Sequence, residues 1–240
     1  MYSVKEAFYT LQGEGAQSGR ASVFCRFSGC NLWSGREQDR AKAQCQFCDT
    51  DFVGTDGQNG GKFADAGDLA DHLLSLWQPV EKISPAAPYV VFTGGEPLLQ
   101  LDETLIDAMH QRGFDVGVET NGTLPAPPGI DWLCVSPKGS AAIVQTHGNE
   151  LKLVFPQADA PPQRFENMAF EHFLLQPMDR SHQPVNESLQ PDEKHHQPDI
   201  ASVTICSDSE RSPMAACVAH CLAHPQWRLS LQTHKILGID

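Results

Sequence analysis

The chain has 240 residues, of which 40% are hydrophobic and 8% aromatic, enough to bury a sizeable core in one large domain or two small ones. Its 17 basic residues against 30 acidic ones give a formal net charge of −13 and a pI near 5.1. No general basic surface exists to neutralise phosphates, so bulk electrostatic nucleic-acid binding is disfavoured. The longest apolar stretches, such as Tyr89 to Phe92, fall far short of the roughly 18 residues of a membrane helix. Lys5 and Glu6 stand where a signal peptide would be apolar, so a cytoplasmic protein is expected. In that compartment the eight cysteines point to metal ligation or chemistry rather than to disulfides.

In chain order, runs rich in β-branched and aromatic residues predict short buried strands. They lie at Val23-Phe24, Tyr89 to Phe92, Phe114 to Val118, Trp132 to Val135, Leu151 to Phe155, Phe173 to Leu175 and Leu229 to Leu231. Helical spacing appears at Leu69, Leu73, Leu76 and Trp77, and again at Leu105, Ile106 and Met109, where Gly113 ends the helix. A last helix runs from the cap Ser212 and Pro213 to His224, and Pro225 stops it. The glycine- and aspartate-rich stretch 49–68 is expected to be a long surface loop. Strands alternating with helices imply an α/β fold with a parallel sheet.

Polar groups follow strand after strand: Thr93-Gly94-Gly95-Glu96-Pro97, Glu119-Thr120-Asn121-Gly122, Ser136-Pro137-Lys138, Gln176-Pro177-Met178-Asp179 and Gln232-Thr233-His234-Lys235. Any one of them reads as helix capping and turn chemistry. Five in series at strand carboxyl ends match the active-site face of a complete or partial β/α barrel.

One segment breaks the rhythm. Gln-Pro recurs at 176/177, 183/184, 190/191 and 197/198, and a proline in every seven-residue copy excludes a coiled coil. Residues 181–211 therefore read as a low-complexity insertion, extended or disordered, in an otherwise single domain spanning 1–240.

Cys45 and Cys48 form a C-x2-C pair, with Cys30 fourteen intervening residues upstream. Such a pair serves zinc, an iron–sulfur cluster or redox chemistry. A structural zinc site needs four ligands, and the nearest other thiol, Cys25, lies in the strand-like Val23 to Phe27 where it packs as a small hydrophobe. Three thiolates without a fourth suit a four-iron cluster with one iron left open.

Three cysteines ending in C-x-aromatic-C, followed by Thr93-Gly94-Gly95-Glu96-Pro97, resemble a radical S-adenosylmethionine (SAM) enzyme. The opening Phe8-Tyr9-Thr10-Leu11-Gln12-Gly13-Glu14-Gly15 and the run Phe24-Cys25-Arg26-Phe27-Ser28-Gly29-Cys30-Asn31-Leu32-Trp33 narrow the resemblance to the 7-carboxy-7-deazaguanine synthase family. The superfamily's usual spacing is C-x3-C-x2-C, and the C-x14-C-x2-C here resembles the enlarged cluster loop of some members.

The resemblance implies a partial (β/α) barrel of radical SAM type with an enlarged cluster-binding loop. Cys30, Cys45 and Cys48 would ligate a [4Fe-4S] cluster whose open iron chelates SAM. SAM would touch Phe47, Asp49, Gly94, Gly95, Ser136, Pro137, Lys138, Gln176, Pro177, Met178 and Asp179, with Glu119 and Asn121 as weaker candidates. Glycines at 94 and 95 would let backbone approach the methionine end of that ligand. The substrate would be 6-carboxy-5,6,7,8-tetrahydropterin, held by Leu11, Gln12, Gly13 and Thr93, with Arg26 as a bidentate partner for its carboxylate. Thr50 matches a Mg²⁺-binding position, which needs substrate oxygens and water to complete an octahedron. The resemblance further implies the family's mechanism, in which an adenosyl radical would remove hydrogen from C6 of the pterin, the ring would contract, hydrogen would return and ammonia would leave, so that SAM is used catalytically. Family members commonly end in a proline whose carboxylate contacts substrate; here Asp240 would offer its terminal carboxylate, and His234 could also face the substrate. A homodimer and a flavodoxin-type electron donor are further expectations.

Two other function classes remain open at this level: a zinc-binding structural module, and a radical SAM activase that acts on a partner protein's glycine. Cys217, Cys221 and His224 share a helix face with His220 beside them, an arrangement that a small zinc site could use but that packing explains better.

Overall fold

The computed structural model describes residues 1–78, 87–179 and 212–239. The expected Gln-Pro insertion at 181–211 and Asp240 lie outside them.

Side-chain alternation along the strands sets the architecture. The elements are β1 (Tyr2–Leu11), β2 (Ala21–Phe27), β3 (Gly61–Phe63), α1 (Ala66–Leu76), β4 (Tyr89–Gly94), α2 (Glu103–His110), β5 (Asp115–Thr120), β6 (Trp132–Val135), β7 (His147–Phe155), β8 (Ala169–Pro177), α3 (Pro213–Ala223), β9 (Trp227–Leu229) and α4 (Thr233–Leu237). One nine-stranded sheet has the order β3-β1-β2-β4-β5-β6-β7-β8-β9. From β2 to β9 every pairing is parallel, while β1 runs antiparallel to both β2 and β3. The sheet is open, as a partial barrel requires.

One face of each strand packs under helices. Val23, Cys25 and Phe27 of β2, Val90 and Phe92 of β4, and Val116 and Val118 of β5 join Leu69, Leu73, Leu105, Ile106 and Met109 of α1 and α2 in one core. Leu151, Leu153 and Phe155 of β7 and Leu175 of β8 join Ala216 and Cys217 of α3 and Trp227 in a second. The intervening positions point the other way, and Phe24, Arg26, Thr93, Glu119, Lys152, Val154 and Gln176 all line one cavity. The sheet therefore curls around that cavity, with its apolar face outward under the helices.

The helices start and stop where the sequence places the signals. Asp65, Asp102 and Ser212 cap α1, α2 and α3 by accepting from the backbone N–H three residues on, at 2.9, 2.9 and 3.2 Å. After α2, Gly113 takes a φ of 80°, and Phe114 N donates back to the Met109 carbonyl, a glycine-terminated helix end.

One expectation needs correction, and one strand was not expected. Stretch 49–68 is not wholly a loop: it contains β3, which pairs with Tyr2, Ser3 and Val4. Its glycines allow tight packing, since a Cβ on Gly60 would lie 2.2 Å from the Lys5 carbonyl oxygen. Strand β1 itself carries no continuous apolar run, because Lys5 and Glu6 interrupt it. The register shifts between Val4 and Glu6, and the buried Lys5 reaches Asp51 at 2.9 Å and Asp56 at 2.8 Å.

Candidate active site

The cluster loop leaves β2 at Phe27 and returns at Cys45. Fourteen residues between Cys30 and Cys45 are accommodated because the excursion closes on itself: Gln44 N bonds the Leu32 carbonyl at 3.1 Å. Arg40 then folds its guanidinium over Trp33, 4.2 Å from the ring centroid, and donates to the carbonyls of Gln46 and Cys48 at 3.1 and 3.0 Å. The loop thus brings Cys30, Cys45 and Cys48 together in one apolar cluster with Leu32, Phe47 and Ala141. Leu32 N–H points at Cys30 Sγ at 3.4 Å, the kind of donor that steadies a metal-bound sulfur. Burial pushes the Cys30 thiol up. Cys45 and Cys48 share a hydrogen bond that raises the first and, with help from the Lys138 ammonium, lowers the second to about 6. Three convergent thiols in an apolar recess, one already poised as thiolate, fit an iron–sulfur cluster with three protein ligands.

Beside this recess lies a cavity of about 440 Å³. Its wall away from the cysteines is built on a buried cation. Lys152, 4% exposed in mid-strand β7, donates to Glu14 at 2.7 Å and Glu119 at 3.1 Å. Gln12 donates to Glu119 at 2.9 Å, and Gln176 and Gln232 both donate to Glu14, at 3.1 and 2.8 Å. Burial alone would raise the Glu14 carboxyl, but the Lys152 ammonium and the Gln232 amide hold it down at about 2. Burial alone would likewise lower Lys152, and the two carboxylates instead keep it well above the usual lysine range. One cation against two carboxylates leaves an excess of acceptors facing the cavity, a surface suited to a ligand edge rich in N–H donors.

A second pair completes the wall. Arg26 Nε donates to Glu6 at 2.8 Å, an ion pair inside the cavity rather than on an outer surface. Phe8 and Phe24 stack nearby with centroids 5.8 Å apart and an interplanar angle of 8°.

The Thr93 to Pro97 segment fixes how these parts meet. A Cβ on Gly94 (φ 147°) would sit 2.4 Å from the Phe27 carbonyl oxygen, and one on Gly95 would sit 2.2 Å from the Gly29 carbonyl oxygen and 2.6 Å from Cys30 Cβ. Close packing of β4's end onto the start of the cluster loop demands glycine at both positions. That packing does not remove them from the cavity wall, where they also stand. Glu96 is fully buried and accepts from Leu98 N at 3.0 Å, Thr120 Oγ1 at 2.7 Å and Asn121 N at 2.8 Å, tying this turn to the end of β5. Burial raises its pKa against those hydrogen bonds.

Most residues singled out in the sequence converge here. Leu11, Gln12, Gly13, Arg26, Phe47, Asp49, Thr50 and Thr93 line the cavity, as do Ser136, Lys138, Gln176 and His234. Lys138 bonds Ser136 and reaches over Phe47, its Nζ 6.0 Å from the ring centroid. Pro137, Pro177, Met178 and Asp179 flank the wall without forming it. Asp179 is drawn in by Lys235, which bridges it at 2.5 Å to Asp49 at 3.0 Å. Sequence reasoning missed Lys152 and left Glu14 without a role.

No family model matches the chain. It is 60% identical over 238 residues to a 7-carboxy-7-deazaguanine synthase of Bordetella pertussis, a match covering 99% of each chain. The synthase of Caulobacter vibrioides is 58% identical with the same coverage, and that of Bacteroides thetaiotaomicron 35% identical over 100% of this chain and 99% of its own. The chain belongs to the 7-carboxy-7-deazaguanine synthase family. The crystal structure of QueE from Escherichia coli superposes with a TM-score of 0.63 at 24% identity, covering 97% of this chain and 94% of the other, so the open sheet is a fold seen before. The matches to the Bordetella and Caulobacter synthases span 99% of this chain, so β1 and the cluster loop fall within them.

Proposed function

We propose that this chain is a radical SAM lyase that converts 6-carboxy-5,6,7,8-tetrahydropterin into 7-carboxy-7-deazaguanine with loss of ammonia. The observation that carries the reading is the juxtaposition of three gathered thiols with a cavity whose far wall presents paired carboxylates and an arginine. Cys30, Cys45 and Cys48 would hold a [4Fe-4S] cluster. With SAM bound to it, the cluster supplies the one-electron chemistry that removes and returns a hydrogen.

The remaining work falls to the chain's own residues. Gly94 and Gly95, Phe47, Asp49, Ser136, Lys138 and Gln176 form the side of the cavity next to the thiols and would seat SAM, with Pro137, Pro177, Met178 and Asp179 supporting that side. The acceptors of Glu14 and Glu119 suit the N–H donors of an aminopyrimidinone ring, and Gln12 orients Glu119 towards them. Leu11, Gly13 and Thr93 enclose the ring, Phe8 and Phe24 offer it a flat apolar wall, and Arg26, oriented by Glu6, takes the carboxylate. Thr50 contributes a neutral hydroxyl to Mg²⁺, which binds together with substrate oxygens rather than before them. His234 closes the cavity above Gly13, where a Cβ would meet its ring at 2.2 Å. The terminal carboxylate of Asp240, a homodimer and a flavodoxin-type donor complete the proposal. No described helix is long and apolar enough to cross a membrane.

The test is an anaerobic assay of cluster-reconstituted protein with SAM, reductant, Mg²⁺ and the carboxytetrahydropterin. Product of the mass of carboxydeazaguanine, with SAM retained, is expected. Formation of 5′-deoxyadenosine without pterin product would show the substrate to be wrong, and zinc in place of iron would remove the enzyme reading altogether.

A further inference from the structure

On the outer face of the sheet, remote from the cavity, three ligating side chains meet. Glu166, His220 and His224 place one ligand atom each within 4.8 Å of one another. His220 stands on the last turn of α3 and His224 directly follows its end, its N–H donating to the His220 carbonyl at 2.8 Å, and their rings stack with centroids 4.3 Å apart. Glu166 comes from the turn that follows Phe165. Its Oε1 accepts from Trp227 Nε1 at 3.3 Å, which orients the carboxylate towards the helix. The His220 ring rests against Phe155 and Trp227, at centroid distances of 5.5 and 6.2 Å, so one ligand is held by the second core while His224 is exposed and can turn.

We propose that Glu166, His220 and His224 form a zinc site that fastens the end of α3 to the turn around residue 166. Two imidazoles and one carboxylate are a borderline donor set that Zn²⁺ favours, with water in the fourth position on the exposed His224 side. Tetrahedral zinc with bonds of about 2.0–2.1 Å sets neighbouring ligand atoms about 3.3 Å apart. The closure from 4.8 Å is about the movement that a rotation of exposed His224 supplies. A cation here also faces the negative end of α3, whose last carbonyls lack helical partners. The cysteines that the sequence put on this face do not take part. Cys217 is fully buried, its Sγ 3.9 Å from the Phe155 carbonyl, and Cys221 packs against the second core.

The site is separate from the reaction cavity by construction. On β7, Leu151, Leu153 and Phe155 turn towards α3, whereas Lys152 and Val154 turn into the cavity. The zinc site therefore takes no part in the cavity's chemistry, and iron content and turnover report on the cavity independently of it.

Full-length protein with its cysteines occupied by cluster is mixed anaerobically with one equivalent of ZnCl2, dialysed and analysed for metal per chain, alongside His224→Gln and Glu166→Gln. Wild type is expected to retain one zinc per chain more than either variant, with a Zn K-edge absorption spectrum of nitrogen and oxygen at about 2.0–2.1 Å and no sulfur. Either substitution should weaken zinc binding by about 100-fold or more, since even an outer partner of a ligand is worth about 10–100-fold. Zinc at about 100 times its Kd should raise the wild-type Tm by roughly 5–10 °C and leave His224→Gln unmoved. Zinc lost from wild type on dialysis, sulfur in the first shell, or equal retention in the variants would overturn the proposal.

Discussion

Replacing Lys152 by methionine keeps the length of the side chain and removes the charge on which the cavity wall depends. In the wild type, Glu14 falls from its ordinary 4.5 to about 2. At about 1.4 kcal/mol per pH unit this amounts to roughly 3 kcal/mol of stability. Because the folded-state value is the lower one, that contribution is fully present above about pH 4.5 and disappears as the pH falls towards 2. Without the ammonium, burial becomes the dominant influence on Glu14, its folded pKa moves above 4.5, and the variant loses stability as the pH rises. The gap between wild type and Lys152→Met should therefore already be about 3 kcal/mol near pH 4.5 and widen towards about 5 kcal/mol by pH 7, within the usual cost of orphaning a buried charge. Anaerobic urea titrations of cluster-loaded protein from pH 4.5 to 8, followed by far-UV circular dichroism, measure it. Adding Glu14→Gln to the variant should restore part of the loss at pH 7 and flatten the pH dependence. A pH-independent difference below about 1 kcal/mol would refute the reasoning.

Other outcomes follow from the packing and hydrogen bonds of the same site. Gly95→Ala forces a methyl group onto Gly29 and Cys30, and should cut the iron and sulfide content of reconstituted protein severely while leaving the circular dichroism of the sheet intact. Glu96→Gln turns an amide N–H2 towards at least one of the donors that the carboxylate accepts from, and should lower the unfolding free energy by about 1–3 kcal/mol in denaturant titrations. Arg26→Lys loses the planar fork, and steady-state kinetics should show KM for the carboxylated pterin rising about 10–100-fold with kcat much less affected. An unchanged KM would place the carboxylate elsewhere.

What the sequence reveals here depends on how local the determinants are. Cys45 and Cys48 are legible because two residues separate them, and the glycines at 94 and 95 because they directly follow an apolar run. Strand β1 escapes notice because its register shift, with the buried Lys5, breaks the two-residue alternation that identifies strands. Lys152 hides for the opposite reason. Leu151-Lys152-Leu153-Val154-Phe155 reads as a buried parallel strand, and the lysine looks like an interruption of it. A lysine fully buried in such a run must find anions, and that demand was the available signal. Its partners, Glu14 and Glu119, lie 138 and 33 residues away in sequence, and no spacing rule joins them. Likewise Cys217, Cys221 and His224 share a face on a helical wheel, but the wheel shows nothing of Glu166, which another segment contributes.

The cavity is fastened by residues from opposite ends of the described chain. Thr233 donates twice to the Gly13 carbonyl, at 2.8 and 2.9 Å, Gln232 reaches Glu14, and Ser230 Oγ accepts from Gly15 N at 2.9 Å. The three cysteines, by contrast, fall within nineteen consecutive residues near the start. During synthesis, then, the metal-binding loop leaves the ribosome long before the wall that encloses a substrate. That loop emerges with its three thiols while no chamber yet stands beside them. The wall waits for β9 and α4, so the segment that carries the three thiols is made well before the chamber beside it can close.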